Sequence, residues 1–241
     1  MALSECSLEM LRTLKVKSAS ELFRDIPQEV RTDRLDLPDG ISEMELMREL
    51  EEMMSVNRPA SSQPSFLGAG IYRHFIPAAL RTIVHRSEFM TSYTPYQPEI
   101  SQGMLQSLFE YQSFMSELTG MDVVNSSMYD ASTALGEAVL MSHRLNGGSE
   151  FLISRAISPE KKAVAALYAK GANIALKEVT YDPSTGLVDL SDLKEKMAGD
   201  VAGFYYETPN FFGPVETRWS EIRQAVGQKI LVIGVNPMAL A

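Results

Sequence analysis

The residue types best suited to chemistry gather in one stretch, Tyr93-Thr94-Pro95-Tyr96-Gln97-Pro98-Glu99-Ile100-Ser101-Gln102-Gly103. Tyr93, Thr94, Tyr96, Gln97 and Glu99 put two phenols, a hydroxyl, an amide and a carboxylate on a short segment. Pro95 and Pro98 fix φ and hold the residues before them extended, so the segment is stiff. A stiff polar loop has already lost the entropy that ligand binding would otherwise cost. Such groups can orient a small polar molecule without bearing a covalent step. The other reading is a rigid surface turn with its tyrosines half-buried in packing.

A second group is Asn125-Ser126-Ser127-Met128-Tyr129-Asp130-Ala131-Ser132-Thr133. It stands at the start of a helix expected through Leu135, Ala138, Val139 and Met141. Backbone amides at a helix start, with the Ser132 and Thr133 hydroxyls beside them, suit an anion. Asp130 would face that anion and repel it, and an ordinary capped helix is the competing account. His74 and His85 are too far apart for a helical metal pair and no Cys or carboxylate cluster joins them, so no metal site is expected. Lys161, Lys162, Lys170, Lys177, Lys194 and Lys196 read as solvated faces, and Lys229 as opening a buried strand.

The elements that hold these groups follow from pattern. Ser18 with Glu21 and Ser42 with Glu45 fit the capping box. The first should open a short helix ending before Pro27. The second should open one with Leu46, Met47, Leu50 and Met54 on a stripe. Fourteen methionines in the chain suit adaptable packing at helix contacts rather than metal binding. Residues 1–65 are expected to form a helical N-terminal arm and linker, and 66–241 a larger α/β domain. Gly68-Ala69-Gly70 is too short for a nucleotide loop and more plainly permits a close backbone approach. Helices are expected over 76–84 and through Met104, Leu105, Leu108, Tyr111, Met115 and Leu118, the latter stopping at Gly120.

From 146 onward strands and helices alternate. Strands are expected at 151–154, 173–179, 201–206 and 229–235. Helices are expected at 159–171, with Ser158 as cap and Pro159 first, at 190–197 and at 216–226. That order implies βαβ units and a mostly parallel sheet covered on both faces. Ligands gather beyond the carboxyl ends of such strands, which draws attention to the loops 207–213 and 236–239. The first of these either lines a pocket or serves as an aromatic plug.

With 241 residues, 45% hydrophobic and 22% charged, the chain is ordinary for a globular protein. A net charge of −9 and a pI near 4.9 argue against a nucleic-acid footprint or an anionic membrane surface. The single cysteine, Cys6, reads as a bystander thiol. No signal-peptide pattern stands at the start and no run is long enough to cross a bilayer, so the expected location is cytoplasmic.

The 93–103 stretch closely resembles the signature of the glycine cleavage system P-protein, glycine dehydrogenase (decarboxylating). Phe66-Leu67-Gly68-Ala69-Gly70-Ile71-Tyr72, Asn125-Ser126-Ser127-Met128-Tyr129-Asp130 and Glu207-Thr208-Pro209-Asn210-Phe211-Phe212-Gly213 agree with it. The details are similar to the N-terminal part of subunit 1 of the two-subunit enzyme. The resemblance implies a fold-type-I pyridoxal-phosphate-transferase-like αβα architecture that is C-terminally incomplete, lacking the family's small domain. It also implies glycine decarboxylation on pyridoxal phosphate, with aminomethyl transfer to the lipoyl group of H-protein in a heterotetramer. In related enzymes the cofactor phosphate lies where Asp130, Ser132 and Thr133 stand, and an aspartate lies where Asn236 stands. An amide does not keep a pyridine nitrogen protonated as a carboxylate does. These are therefore degenerate positions, no catalytic residue is expected in this chain, and the Schiff-base lysine would belong to subunit 2. Tyr93, Thr94, Tyr96, Gln97 and Glu99 would complete the partner's site from across the interface. The competing readings are a non-catalytic stabilising or regulatory partner and an independent pyridoxal phosphate enzyme.

Overall fold

The computed structural model describes residues 5–32, 35–66, 68–90 and 94–240, with side chains described from residue 8 onward. Two compact units are present, residues 1–64 and 65–241. The first contains helix α1 (Glu5–Leu14), short 3-10 turns at Ala19–Phe23, Gln28–Val30 and Ala60–Ser62, and helix α2 (Glu43–Met54).

The capping box at α2 forms as expected. Ser42 Oγ accepts from the Glu45 N–H, and Glu45 Oε2 accepts from the Ser42 N–H at 2.9 Å. The one expected at Ser18 does not form. The Ser18 side chain makes no cap, Glu21 accepts from the Lys17 N–H instead, and the segment winds as a single 3-10 turn. The α2 stripe of Leu46, Met47, Leu50 and Met54 is exposed, so its expected helix packing is not made among the described residues of this unit.

In the second unit, α3 (Ala78–Val84), α4 (Ser87–Met90) and α5 (Gln102–Thr119) come first. Helix α5 ends at Gly120, whose φ of 68° is the left-handed stop that glycine adopts without strain. Its apolar stripe is at most half-buried, and no α5 residue is in the core. The αβα layers follow: α6 (Ala131–Asn146), β1 (Glu150–Ser154), α7 (Pro159–Gly171), β2 (Ala175–Val179), α8 (Leu190–Met197), β3 (Val201–Thr208), α9 (Trp219–Val226) and β4 (Ile230–Val235). The four strands are parallel in the order β2-β1-β3-β4.

Both faces of the sheet are covered. Phe151, Ile153, Ala202 and Tyr205 pack with Leu135 and Val139 of α6 and Ala165 and Ala169 of α7. Leu152, Val201, Phe204 and Tyr206 pack on the other side with Leu193 of α8 and Ile222 and Val226 of α9. Strand β4 lies at one edge, with Ile233 and Val235 exposed. It is not the buried strand expected at 229–235, because covering one side of an edge strand leaves the other to solvent.

One irregularity in β3 matters for everything that follows. Glu150 is paired with Val201, but Leu152 is paired with Phe204. Strand β3 thus spends one extra residue at 202–203, a bulge that resets the alternation of side chains. Beyond it, Phe204 and Tyr206 face α8 and α9, whereas Tyr205 faces α6 and α7. Gly203 sits at the bulge, where an added Cβ would lie 2.7 Å from the Ile230 carbonyl oxygen.

Helix α7 begins as the sequence suggests. Ser158 Oγ accepts from the Lys161 N–H at 3.2 Å and Pro159 takes the first position. Ser158→Ala should cost about 1 kcal/mol, the usual worth of such a cap. Urea unfolding of the purified chain, compared with the unaltered protein, measures it. Helix α9 starts at Trp219 rather than at the expected 216, because Glu216 is used elsewhere: its carboxylate binds Arg218 and the Val188 N–H.

Candidate functional site

A cavity of about 260 Å³ opens beyond the carboxyl ends of β3 and β4. Its chemistry comes from Lys161 in the first turn of α7, from Tyr205 and Glu207 of β3, and from Tyr72 and Asn236 in the loops. Tyr205 and Glu207 are two apart on a strand and therefore share a face, the one set by the bulge. The Tyr205 hydroxyl donates to Glu207 Oε1 at 2.7 Å, and Lys161 Nζ donates to the same oxygen at 2.5 Å. Glu207 is only 8% exposed. Lys161, read from sequence as solvated, is half-buried and paired with this carboxylate.

Burial, reinforced by the charge of Glu207 and its hydrogen bond, pushes the Tyr205 phenol far above its ordinary pKa. The hydroxyl therefore stays protonated and acts as a donor. Tyr72 is raised too, first by burial and then by Glu207. Its hydroxyl donates to the Pro209 carbonyl at 3.5 Å. Asn236 Nδ2 lies 3.2 Å from Nε2 of His74, and its Oδ1 accepts from the Met238 N–H. His74, Lys161, Tyr205 and Glu207 were not among the site residues expected from sequence. Lys161 looks solvated on its helix until the placement of α7 is known, whereas Glu207 belongs to the 207–213 loop that was expected either to line a pocket or to serve as an aromatic plug.

Gly68, Ala69 and Gly70 all take positive φ, and the Ala69 N–H donates to the Phe211 carbonyl at 3.2 Å. This is the close backbone approach expected there. The loop 207–213 divides its roles: Glu207 and Pro209 line the cavity, while Phe212 packs on Phe211 and Tyr181.

At the start of α6, Asp130 is the cap. Its Oδ1 accepts from the Thr133 N–H at 2.7 Å and from the Thr133 hydroxyl. These bonds, the side-chain one foremost, hold its carboxyl below the usual range. Ser132 is half-buried beside it. The helix start is thus capped by this chain's own carboxylate.

The proline-bound loop is elsewhere. Thr94 is half-buried, whereas Tyr96, Gln97 and Glu99 are exposed, Tyr96 by 87%. Ser101, buried at the loop's end, donates to the Thr94 carbonyl at 3.1 Å and closes the segment on itself. Tyr93 lies outside the described residues. Glu99 and Pro98 border a shallow apolar groove along α5 with Leu105 and Phe109. No described loop residue lines the cavity at the strand ends. Among the described residues no group of three or more metal-binding side chains gathers, and no helix is long and apolar enough to cross a membrane.

A parallel sheet between two helical layers, with polar groups beyond its strand ends, is a three-layer α/β fold of the kind the pyridoxal-phosphate transferases share. The architecture matches at low identity as well: a sphingosine-1-phosphate lyase from Burkholderia pseudomallei has a TM-score of 0.56 at 13% identity over 85% of this chain and 49% of its own. The chain belongs to the glycine cleavage system P-protein family, whose pattern it matches over residues 3–241. It is 48% identical over 236 residues to a probable glycine dehydrogenase (decarboxylating) subunit 1 from Pyrococcus abyssi, covering 96% of this chain and 52% of the relative. The counterpart from Saccharolobus solfataricus is 47% identical over 240 residues, with the same coverage. A glycine decarboxylase (P-protein) of the glycine cleavage system, solved in inhibitor-bound form, has a TM-score of 0.76 at 33% identity. That match covers 100% of this chain and 54% of the solved one. The chain therefore spans about half the length of the curated relatives it matches.

Pyridoxal phosphate, the cofactor this fold class implies, does not suit the cavity's donor set. A phosphate at the start of α6 would meet the anionic Asp130 and find the Thr133 N–H already used. Lys161 is tied to Glu207 as an ammonium and is no free amine nucleophile. Asn236 lines the cavity with an amide, which would not keep a pyridine nitrogen protonated as a carboxylate does.

Proposed function

We propose that this chain is part of subunit 1 of a heteromeric glycine decarboxylase, the P-protein of the glycine cleavage system. On this reading the assembled oxidoreductase decarboxylates glycine with pyridoxal phosphate and passes the aminomethyl group to the lipoyl arm of H-protein. The cofactor and its lysine belong to subunit 2, in a cytoplasmic heterotetramer. Residues 1–65 serve as a helical arm and linker, and 66–241 as part of the large domain. The mismatch between the chain's own cavity and the cofactor supports a non-catalytic but site-completing role. The names of the relatives, glycine dehydrogenase (decarboxylating) subunit 1, support the reaction.

The observation that carries the reading is the proline-held loop. It is stiff, closed by the Ser101–Thr94 hydrogen bond, and presents Tyr96, Gln97 and Glu99 outward. Together with Tyr93 and Thr94, these side chains would orient glycine in the neighbouring subunit's site. Positioning of this kind changes turnover without any covalent part. Tyr96→Phe and Glu99→Gln should each lower glycine-dependent carbon dioxide exchange by about tenfold in the reconstituted two-subunit enzyme. Co-purification with subunit 2 should be unchanged. Full activity in an intact complex would instead favour a purely stabilising subunit.

A further inference from the structure

The cavity at the ends of β3 and β4 holds charges of both signs, and neither is fully spent. Glu207 is more than nine-tenths buried, a costly place for a carboxylate unless its partners repay the lost hydration. Both partners described above, Tyr205 and Lys161, bind the same oxygen, Oε1. Oε2 is engaged by neither. An ammonium has three donors, and the Lys161–Glu207 bond uses one. Lys161 keeps a quarter of its side chain exposed, so its remaining donors can turn toward an incoming anion. The Tyr72 and Tyr205 rings and the Asn236 amide complete the wall, and Ala131 closes it from the start of α6.

We propose that this cavity is a binding site for a small zwitterionic α-amino acid. The ligand ammonium docks on Glu207 Oε2 and its carboxylate on Lys161 Nζ. The Lys161–Glu207 pair need not break, because each partner uses capacity that the pair leaves idle. A volume of about 260 Å³ lies just below the range of about 300–1,000 Å³ typical of ligand pockets. It therefore admits a ligand of the size of glycine, alanine or serine. The site is separate from the proline-held loop and requires neither a partner subunit nor a cofactor.

Equilibrium dialysis of the full chain, purified alone and free of cofactor, tests it with radiolabelled glycine as probe. Binding is expected with a Kd on the order of 1 mM. Acetate and methylamine, each carrying one of the two charges, should compete at least about tenfold more weakly than unlabelled alanine. Glu207→Gln should weaken glycine binding by at least about tenfold with the circular dichroism spectrum unchanged. Absence of glycine binding overturns the proposal. So does acetate competing as well as alanine, or full binding by folded Glu207→Gln. If that variant does not fold, the probe series on the unaltered chain decides alone. Turnover in the two-subunit complex does not enter this measurement, so its outcome is independent of the loop's role.

Discussion

Glu216→Ala is expected to destabilise the α/β unit by about 3 kcal/mol, a typical cost when one member of a buried ion pair is removed. The residue is 6% exposed. Its Oε2 accepts from Arg218 Nη2 at 2.9 Å and from the Val188 N–H at 3.1 Å. Its Oε1 accepts from Arg218 Nε and N, and its own N–H donates to Thr208. The residue thus ties the end of β3, through its backbone N–H, to the segment before α8, through its side chain. Alanine would leave the Val188 N–H without its acceptor and strip the half-buried guanidinium of its carboxylate, leaving it the Val188 carbonyl. Equilibrium unfolding in urea gives the difference directly.

The same carboxylate sets a pH dependence. Burial by itself would raise the Glu216 pKa, but the hydrogen bonds from Arg218 and the Val188 N–H outweigh it and leave the pKa lowered. A group whose folded pKa lies below its unfolded value stabilises the fold fully above the unfolded value, about 4.3 for glutamate. That contribution fades as pH falls through the folded value. Asp192 behaves alike: burial opposes ionisation, yet bonds from Lys196 and Thr180 lower its pKa overall. Stability should therefore fall as the solution is acidified below about pH 4.5, and Glu216→Gln should flatten that fall. An equal slope in both proteins would show that Glu216 has no part in it.

Gly234→Ala is the second large effect, and it acts on the cavity. A Cβ at 234 would stand 2.2 Å from the Tyr205 hydroxyl and 3.0 Å from Glu207 Cγ. Neither neighbour has room to retreat, since Tyr205 is 4% exposed and packed between α6 and α7. Either the Tyr205–Glu207 bond breaks or β4 moves off the sheet edge. Overpacking of this kind costs about 1–3 kcal/mol. The loss should appear as a lower urea midpoint. Tyr205→Phe removes the atom that the new Cβ would strike first, so Gly234→Ala should cost less in that background than in the unaltered protein.

Much of the second unit was legible because its signals are local. Ser158-Pro159 starts α7, Gly120 stops α5, and the apolar runs at 151–154 and 201–206 become strands within two residues of where they were expected. Family membership was legible through the 93–103 stretch. The cavity was legible in place, since the loops 207–213 and 236–239 were expected to gather a ligand, but not in its charged pair, which depends on distances no local pattern encodes. Lys161 and Glu207 are 46 positions apart, and Lys161 looks solvated on its own helix. The box expected at Ser18 failed for a simpler reason: Glu21 found the backbone of Lys17 one residue earlier, and no longer helix followed to reward the cap. The α2 and α5 stripes have helical spacing, but most of their members are exposed. Periodicity reports that a helix has an apolar side without saying what covers it.

The extra residue in β3 has an evolutionary corollary. Because successive strand residues alternate between layers, parity along the strand decides which layer receives each group. Losing a single amino acid at 202–203 would remove the bulge yet leave the 204 and 206 rings and the 207 acid on their present layers, whereas losing one at 204–206 would deliver that acid among the aliphatic side chains of α8 and α9. Lineages of this protein should therefore tolerate the loss of one residue at 202–203 but not of one between there and 207, whatever freedom they allow in residue identity.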